Sequence, residues 1–430
     1  MRKTSQILIV LTLIFLITSF VFTCQFASYS ASSVDDWSLF RHDASNTGFS
    51  SSAAPTSSVV KLWNYTIQES ATYSPAYPVV ANGFVYVGSP DYSIYCFDAA
   101  TGAKVWSYTT GGETYYSPAV IDSRVYVGSE DGYVYCLDAV EGTQVWNHSV
   151  GVSMNAPVNF VDDRLYIESE AGVVYCLCII DGEMVWNFPT GAQADNLSPA
   201  LSNGFIFATN SDGDVFCLNA ASGVHVWNFT VGEAASSPVA VDGFVYFGSS
   251  DGNVYCLDAS NGAKIWNYTT WYNNEGPSHG YHWGNGVSAP AVAYGHVYVG
   301  SSDFDVFCLD ASTGGKIWNF STGGIVRAPS VAGGYVFAGS YDGNVYCLDA
   351  SSGVELWLVA AGVFSPVNAA GSAGSPTVVD SVVYVFGNGV LSAWGAPSSD
   401  SAFPLFEVMV LVILLLIVAA IVLYLFFRQS

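Results

Sequence analysis

The sequence predicts an all-β chain: an eight-bladed β-propeller of four-stranded blades with tryptophan-docking motifs, followed by a C-terminal transmembrane helix. Three observations predict it. One phrase recurs eight times at a near-constant spacing, each copy reads as four short strands, and the chain ends in an apolar run long enough to cross a bilayer.

The recurring phrase is Val-Tyr-Val-Gly-Ser, then Asp-Gly-x-Val-Tyr-Cys-Leu-Asp-Ala, then Gly-x-x-x-Trp-Asn. Its tryptophan falls at Trp63, Trp106, Trp146, Trp186, Trp227, Trp266, Trp318 and Trp357, evenly spaced except for one longer interval between Trp266 and Trp318. Within one copy, Ser237–Val241, Val245–Gly248, Val254–Asp258 and Lys264–Tyr268 are apolar or alternating runs separated by turn residues. Asp251-Gly252 supplies a hairpin turn in which glycine takes the positive φ. First strands begin near Ser74, Ser117, Ala156, Ser198, Ser237, Ala289, Ala328 and Ser375. The last copy lacks a Trp strand and the first Trp strand, around Lys61–Asn64, lacks earlier strands. The two complete one blade, which removes an exposed sheet edge.

Composition narrows the function classes. With 51% hydrophobic and 11% charged residues the chain is not disordered. Its 42 glycines follow no collagen register. Eleven Lys and Arg against a net charge of −24 exclude a nucleic-acid partner, because nothing is available to neutralise a phosphate backbone.

The ends carry targeting signals. Met1-Arg2-Lys3, an apolar run from Ile7 to Phe22 and small residues near Ser28–Ala31 read as a signal peptide over 1–31, with an uncleaved anchor as the alternative. Cys24 follows a poor lipoprotein cleavage box. The propeller spans 32–395, a polar linker 396–404, the membrane helix 405–427 and a cytoplasmic tail 428–430. Arg428 places that tail inside and the propeller outside, a single-pass arrangement at the cell membrane.

The run Cys308-Leu-Asp-Ala-Ser-Thr-Gly-Gly-Lys-Ile-Trp318 resembles the docking motif of the pyrroloquinoline-quinone-like repeat propellers, and the likeness covers residues 37 to 394. The resemblance implies that each Trp wedges against the glycine of the next motif. It also implies that Asp98, Asp138, Asp258, Asp310 and Asp349 secure turns through backbone N–H groups. Two departures stand out. Cysteine replaces the motif's alanine at Cys96, Cys136, Cys176, Cys217, Cys256, Cys308 and Cys347, and Cys178 and Asn219 replace the turn Asp. Equivalent positions in different blades lie too far apart for disulfides, so these thiols read as small buried side chains.

Positions filled alike in every blade are explained by the fold, so function is sought where one blade differs. The acidic turns Asp91, Glu130, Asp131, Glu170, Asp212, Asp214, Asp251, Asp303, Asp305 and Asp342 read as turn chemistry before a cation site. The long insertion after Trp266 carries Trp271, Tyr272, His279, Tyr281, His282 and Trp283, aromatics suited to a planar or sugar ligand and a His pair without a third metal ligand. The residue two before each first-strand proline should ring the funnel mouth: Tyr73, Tyr116, Asn155, Leu197, Ser236, Ser288, Arg327 and Gly374, with Arg327 the one cation. Acceptor sequences for N-glycosylation occur at Asn64, Asn147, Asn196, Asn228, Asn267 and Asn319.

The family resemblance implies two kinds of activity. Its non-catalytic members are scaffolds for protein or envelope-polymer partners, and the short, bare blades favour that reading, with no catalytic residue and no resident cofactor. Its dehydrogenase members use pyrroloquinoline quinone and calcium to oxidise alcohols or sugars. They hold the quinone against a disulfide of adjacent cysteines, and this chain has no adjacent cysteine pair.

Overall fold

The computed structural model describes residues 36–56, 59–67, 77–114, 116–154, 156–194, 197–270, 286–361, 374–387 and 389–397. The signal peptide and the membrane segment expected from sequence lie outside the described residues. No described helix is long and apolar enough to cross a membrane.

Eight antiparallel four-stranded sheets form the ring. Blade 5 shows the plan: Val239–Val241 lines the axis, Phe244–Gly248 and Asn253–Asp258 follow, and Lys264–Thr269 forms the outer edge. In seven of the eight blades the chain turns from the first strand to the second through two residues of positive φ, such as Asp242 (53°) and Gly243 (82°). That geometry matches the twist of paired strands. We call the end that carries these turns and the third-to-fourth turns the lower face. The upper face carries the second-to-third turns and the blade-to-blade connections.

Closure follows the expectation. Val60–Thr66 pairs with Val390–Gly395, so the first Trp strand completes the last blade. Each outer strand bulges by one residue beside its Trp: Leu257 pairs with Lys264 and Cys256 with Trp266, leaving Ile265 out of register. A bulged edge is a poor template for a foreign strand.

The core is a set of seams between blades. One seam joins Phe207, Val215, Cys217 and Trp227 of blade 4 to Ala240, Val245, Phe247, Tyr255 and Leu257 of blade 5. Each Trp closes its seam twice. Its indole N–H donates to a carbonyl of the next blade's motif, as Trp227 does to Ala259 at 3.0 Å. Its ring also covers a glycine of positive φ: a Cβ on Gly262 would lie 2.6 Å from Trp227. In the seventh blade no following motif exists, and Trp357 donates instead to Pro55 at 3.0 Å.

Pro55 belongs to a strap the sequence did not announce. Residues 36–55 run inside the ring and meet every blade in turn. Backbone carbonyls of Trp37, Ser38, Ala44, Ser45, Thr47 and Gly48 accept from Val80, Val120, Leu201, Ala240, Val292 and Val331. The Asn159 amide donates to Ala44, and Ser381 N–H to Ala53, which completes the eight. Phe49–Ser50 adds a parallel strand to blade 7.

Two expectations need correction. The first strand of blade 1 is Val79–Ala81 after Pro78, so it begins beyond the expected start at Ser74. The insertion after Trp266 also has company. Short connections join blades 1 to 5 in turn and blade 6 to blade 7. The stretches from Thr269 to Ala291, from Ala360 to Thr377 and from Thr66 to Val79 are all longer than these. The second of the three escaped notice because no ninth Trp follows it.

Candidate functional site

The axis of the ring is filled by the strap. Arg41 is buried and donates to the Pro290 and Pro329 carbonyls, the latter at 3.2 Å, and to the Asn46 carbonyl at 3.3 Å. Asn46 donates to Ser198 and Pro238 at 3.1 Å each, and Asn159 to Pro199 at 3.0 Å. Those carbonyls stand at the upper entry of the inner strands, so polar side chains of the chain itself bridge blades 4 to 7 across the axis. Burial lowers the Arg41 guanidinium to about 10, which leaves it charged at neutral pH.

The upper face carries the acidic turns, and most are explained locally. Asp91, Asp131, Asp251 and Asp342 each accept a tyrosine hydroxyl at 2.5–2.6 Å, from Tyr95, Tyr135, Tyr255 and Tyr346. Each also accepts a backbone N–H two residues on. Burial raises the Glu130 carboxyl, with further contributions from Glu113 and Glu170, and Asp303 is raised by burial and by Asp305. Among the described residues no three His, Cys, Asp or Glu side chains converge as a metal site.

The expected funnel ring is mostly structural. Tyr116 and Leu197 are buried. Ser236 and Ser288 hydroxyls accept from Gly248 and Gly300 at 3.0 and 2.9 Å. Arg327 lies 4.8 Å above the Tyr341 ring and donates to its hydroxyl at 2.7 Å, so this cation is held on the upper face between blades 6 and 7. Tyr73, Asn155, Trp271, Tyr272, His279, Tyr281, His282 and Trp283 lie outside the described residues.

Glu168 was missed. It lies near the end of a second strand, where Gly88, Gly128, Gly248 and Gly300 stand in other blades. There a connection passes so close that a Cβ on Gly248 would meet the Val287 carbonyl at 2.4 Å. Thr209 at the same place donates to Ser236 at 3.0 Å. Glu168 is fully buried, and neither carboxyl oxygen has a hydrogen-bond partner among the described residues. Burial raises its carboxyl well above the ordinary range, with a smaller opposing effect from the Thr190 hydroxyl. The signal was legible: Leu165-Tyr166-Ile167-Glu168-Ser169 breaks the repeated Val-Tyr-Val-Gly-Ser.

The docking tryptophans and the cysteines fit the sequence reading. Each repeat cysteine pairs in register with the Trp of its own blade, as Cys256 with Trp266, and Ala393 takes that place in blade 8. The eight described cysteines are free, and only Cys178 among them is not buried. Burial raises Cys96 to about 12 and Cys136 to about 11, so these thiols stay protonated and unreactive at neutral pH. Thiol titration of the native protein is therefore expected to modify Cys178 ahead of the seven repeat cysteines, which should react only in denaturant. Equal native reactivity of Cys256 and Cys178 would show that the seams open freely.

Turn aspartates behave as expected: Asp310 accepts from Ser312 and Thr313 N–H and both hydroxyls, which holds its carboxyl down to about 2. The acceptor asparagines Asn64, Asn147, Asn228, Asn267 and Asn319 are exposed on outer strands, and Asn196 lies outside the described residues. The hydroxyl two residues on has its own structural task. Thr269 and Ser321 bond across to Asn253 and Asp305 at 2.6 and 2.5 Å, and Thr109 lies 3.3 Å from Ser93 in a blade without the asparagine.

Comparison with known proteins agrees with this architecture. The family described as outer membrane protein assembly factor BamB matches residues 54–268 and 268–394. Curated proteins gave no match. Among solved structures, BamB from Moraxella catarrhalis is similar at 18% identity and TM-score 0.63, covering 79% of this chain and all of that one. The quinohemoprotein alcohol dehydrogenase from Comamonas testosteroni is similar at 15% identity and TM-score 0.67, with 84% and 80% covered. A computationally designed protein, Ika8, is similar at 16% identity and TM-score 0.65, with 77% and 98% covered. At these identities the structural likenesses speak to the fold alone.

Proposed function

The chain belongs to the pyrroloquinoline-quinone-like propeller family described as outer membrane protein assembly factor BamB, and from that membership we propose that it is a non-catalytic binding scaffold held at the outer side of a cell membrane. Its partner is a protein or an envelope polymer that meets the upper face. There two of the long connections flank the short one bearing Arg327, and the aromatic segment 271–283 supplies recognition. The apolar run 405–427 anchors the ring, and glycan on the outer-strand asparagines would point away from both faces.

The observation that carries this reading is the filled axis. Arg41, Asn46 and Asn159 bond to inner-strand carbonyls where an open funnel would otherwise lead inward. The donor set for quinone and calcium fits poorly. The sequence has no adjacent cysteine pair, the repeat thiols are buried within strands, and the described carboxylates of the upper face are mostly bound to their own turns.

Titration of the purified protein with pyrroloquinoline quinone and calcium, followed by absorbance, tests the reading. No saturable change is expected up to high-micromolar quinone. Saturation accompanied by alcohol- or sugar-dependent dye reduction would replace the scaffold with a quinoprotein dehydrogenase.

A further inference from the structure

We propose that the lower face of the ring rests on the bilayer, with aliphatic side chains of blades 2 to 4 entering its interfacial layer; this rests on the anchoring by residues 405–427 proposed above. Three features of the ring point there.

The first is where the chain leaves. The last strand runs downward and ends at Gly395, which pairs with Val382 just after a first-to-second turn. Asp36, the first described residue, accepts from Asn82 in such a turn at 3.0 Å. Both ends of the described ring therefore lie at the lower face. The linker 396–404 reaches at most about 30 Å before the apolar run begins. A ring tethered so closely presents its lower face to the membrane.

The second is the distribution of exposed apolar surface. At the third-to-fourth turns, blades 5, 6 and 7 place Ser260, Ser312 and Ser351, whose hydroxyls bond to the turn aspartates. Blades 2 and 3 place Val140 and Ile180 there instead, 63% and 76% exposed. Val224, 61% exposed, stands at the corresponding turn of blade 4, and Met184 and Val161 of blade 3 are exposed as well. Val354 of blade 7, exposed on the same face, stands beside the blade from which the anchor leaves. Among the described residues, the exposed large apolar side chains of the upper face are two tyrosines, Tyr92 and Tyr133. The lower face therefore exposes aliphatic side chains at its turns that the described upper face does not.

The third is geometry. The anchor leaves from blade 8, and blades 2 to 4 stand a quarter to half a turn around the ring from it. A tether on one side and exposed aliphatic turns across the disc make a two-point attachment that holds the face flat. Glu141, Asp163, Asp181 and Glu183 share this face, so the occupant is a zwitterionic lipid surface; an anionic one would repel it.

The test uses the full chain in phosphatidylcholine vesicles that carry a photoreactive diazirine near the glycerol end of the acyl chains. Adducts are expected on the peptides containing Val140, Ile180 and Val224 and on the peptide 405–427. Adducts confined to 405–427, or placed on the turns of Tyr92 and Tyr133, would leave the anchor intact and overturn the docking face. Absence of adducts on 405–427 would overturn the anchoring itself, and this proposal with it. The triple variant Val140→Asp, Ile180→Asp, Val224→Asp changes only exposed side chains. It should lower the turn adducts about tenfold or more, because aspartate strongly disfavours apolar depth, while 405–427 is labelled as before. Unchanged turn adducts in that variant would also refute the proposal.

Discussion

Trp227→Ala is expected to lower folding stability by about 3–5 kcal/mol, the usual cost of truncating a large buried aromatic. Three losses combine at one seam. The indole leaves a cavity between Phe207, at 5.8 Å between ring centres, and Gly262 of the next blade. The Ala259 carbonyl loses its donor. Gly262, bound to glycine by a φ of 71°, offers no side chain to refill the space. Urea unfolding followed by circular dichroism reads the effect as a fall in midpoint. Trp227→Phe keeps most of the ring area and loses the N–H, so it should cost about 1–2 kcal/mol for the lost bond and a smaller cavity. A cost below about 1 kcal/mol for the alanine variant would mean that the blades are held by the strap and not by their tryptophans.

The second large effect belongs to Glu168. Its carboxyl is raised by burial, so the folded protein holds that proton more tightly than the unfolded chain does. The sign follows from linkage. Stability from this group is fully present below the unfolded carboxyl value, near 4.3, and is lost as pH rises toward the folded one, at about 1.4 kcal/mol per pH unit. Glu168→Gln removes the titrating group while keeping its shape. The variant should match the wild type at pH 4 and exceed it by a growing margin as pH rises above the unfolded carboxyl value, as read by urea midpoints across a pH series. Parallel pH profiles for the two proteins would show that Glu168 reaches solvent or a partner and stays ionised. The position also explains why blade 3 tolerates it. Its connection to blade 4, between Pro189 and Ala200, is the longest of the short connections.

Both effects bear on the proposed role. A scaffold needs a rigid outline, and the seams supply it through repeated Trp–Gly stacking rather than through one deep core. The strap adds a second constraint from within, since one segment bonds to all eight blades. A partner that binds the upper face thus meets a surface fixed from the axis outward, with variation confined to the connections.

What could be read in advance follows a physical rule. Local patterns were legible: the four strands per copy, the turn aspartates and the buried cysteines beside each Trp depend on residues within one repeat, and the shared last blade follows from counting the strands that the first and last copies lack. Misreadings arose where that unit was absent or incomplete. Pro75 and Pro78 are alike in sequence, and only pairing of Val79 with Tyr86 selects the second. The long connection after Ala360 follows the last Trp, so spacing between tryptophans could not reveal it. Glu168 was visible as a broken repeat, yet its burial without a partner depends on how closely the next connection passes.

The sequence by itself determined the blade, its number and its docking chemistry, because period-two strands and a Trp–Gly pair act between neighbours in the chain. Tertiary structure alone decided what fills the axis and what each face presents. Arg41 meets Pro290 and Pro329, and Trp357 meets Pro55, across most of the length of the ring-forming chain. No local pattern encodes such pairs. They exist because closing a ring brings the first segment of the chain against every blade at once.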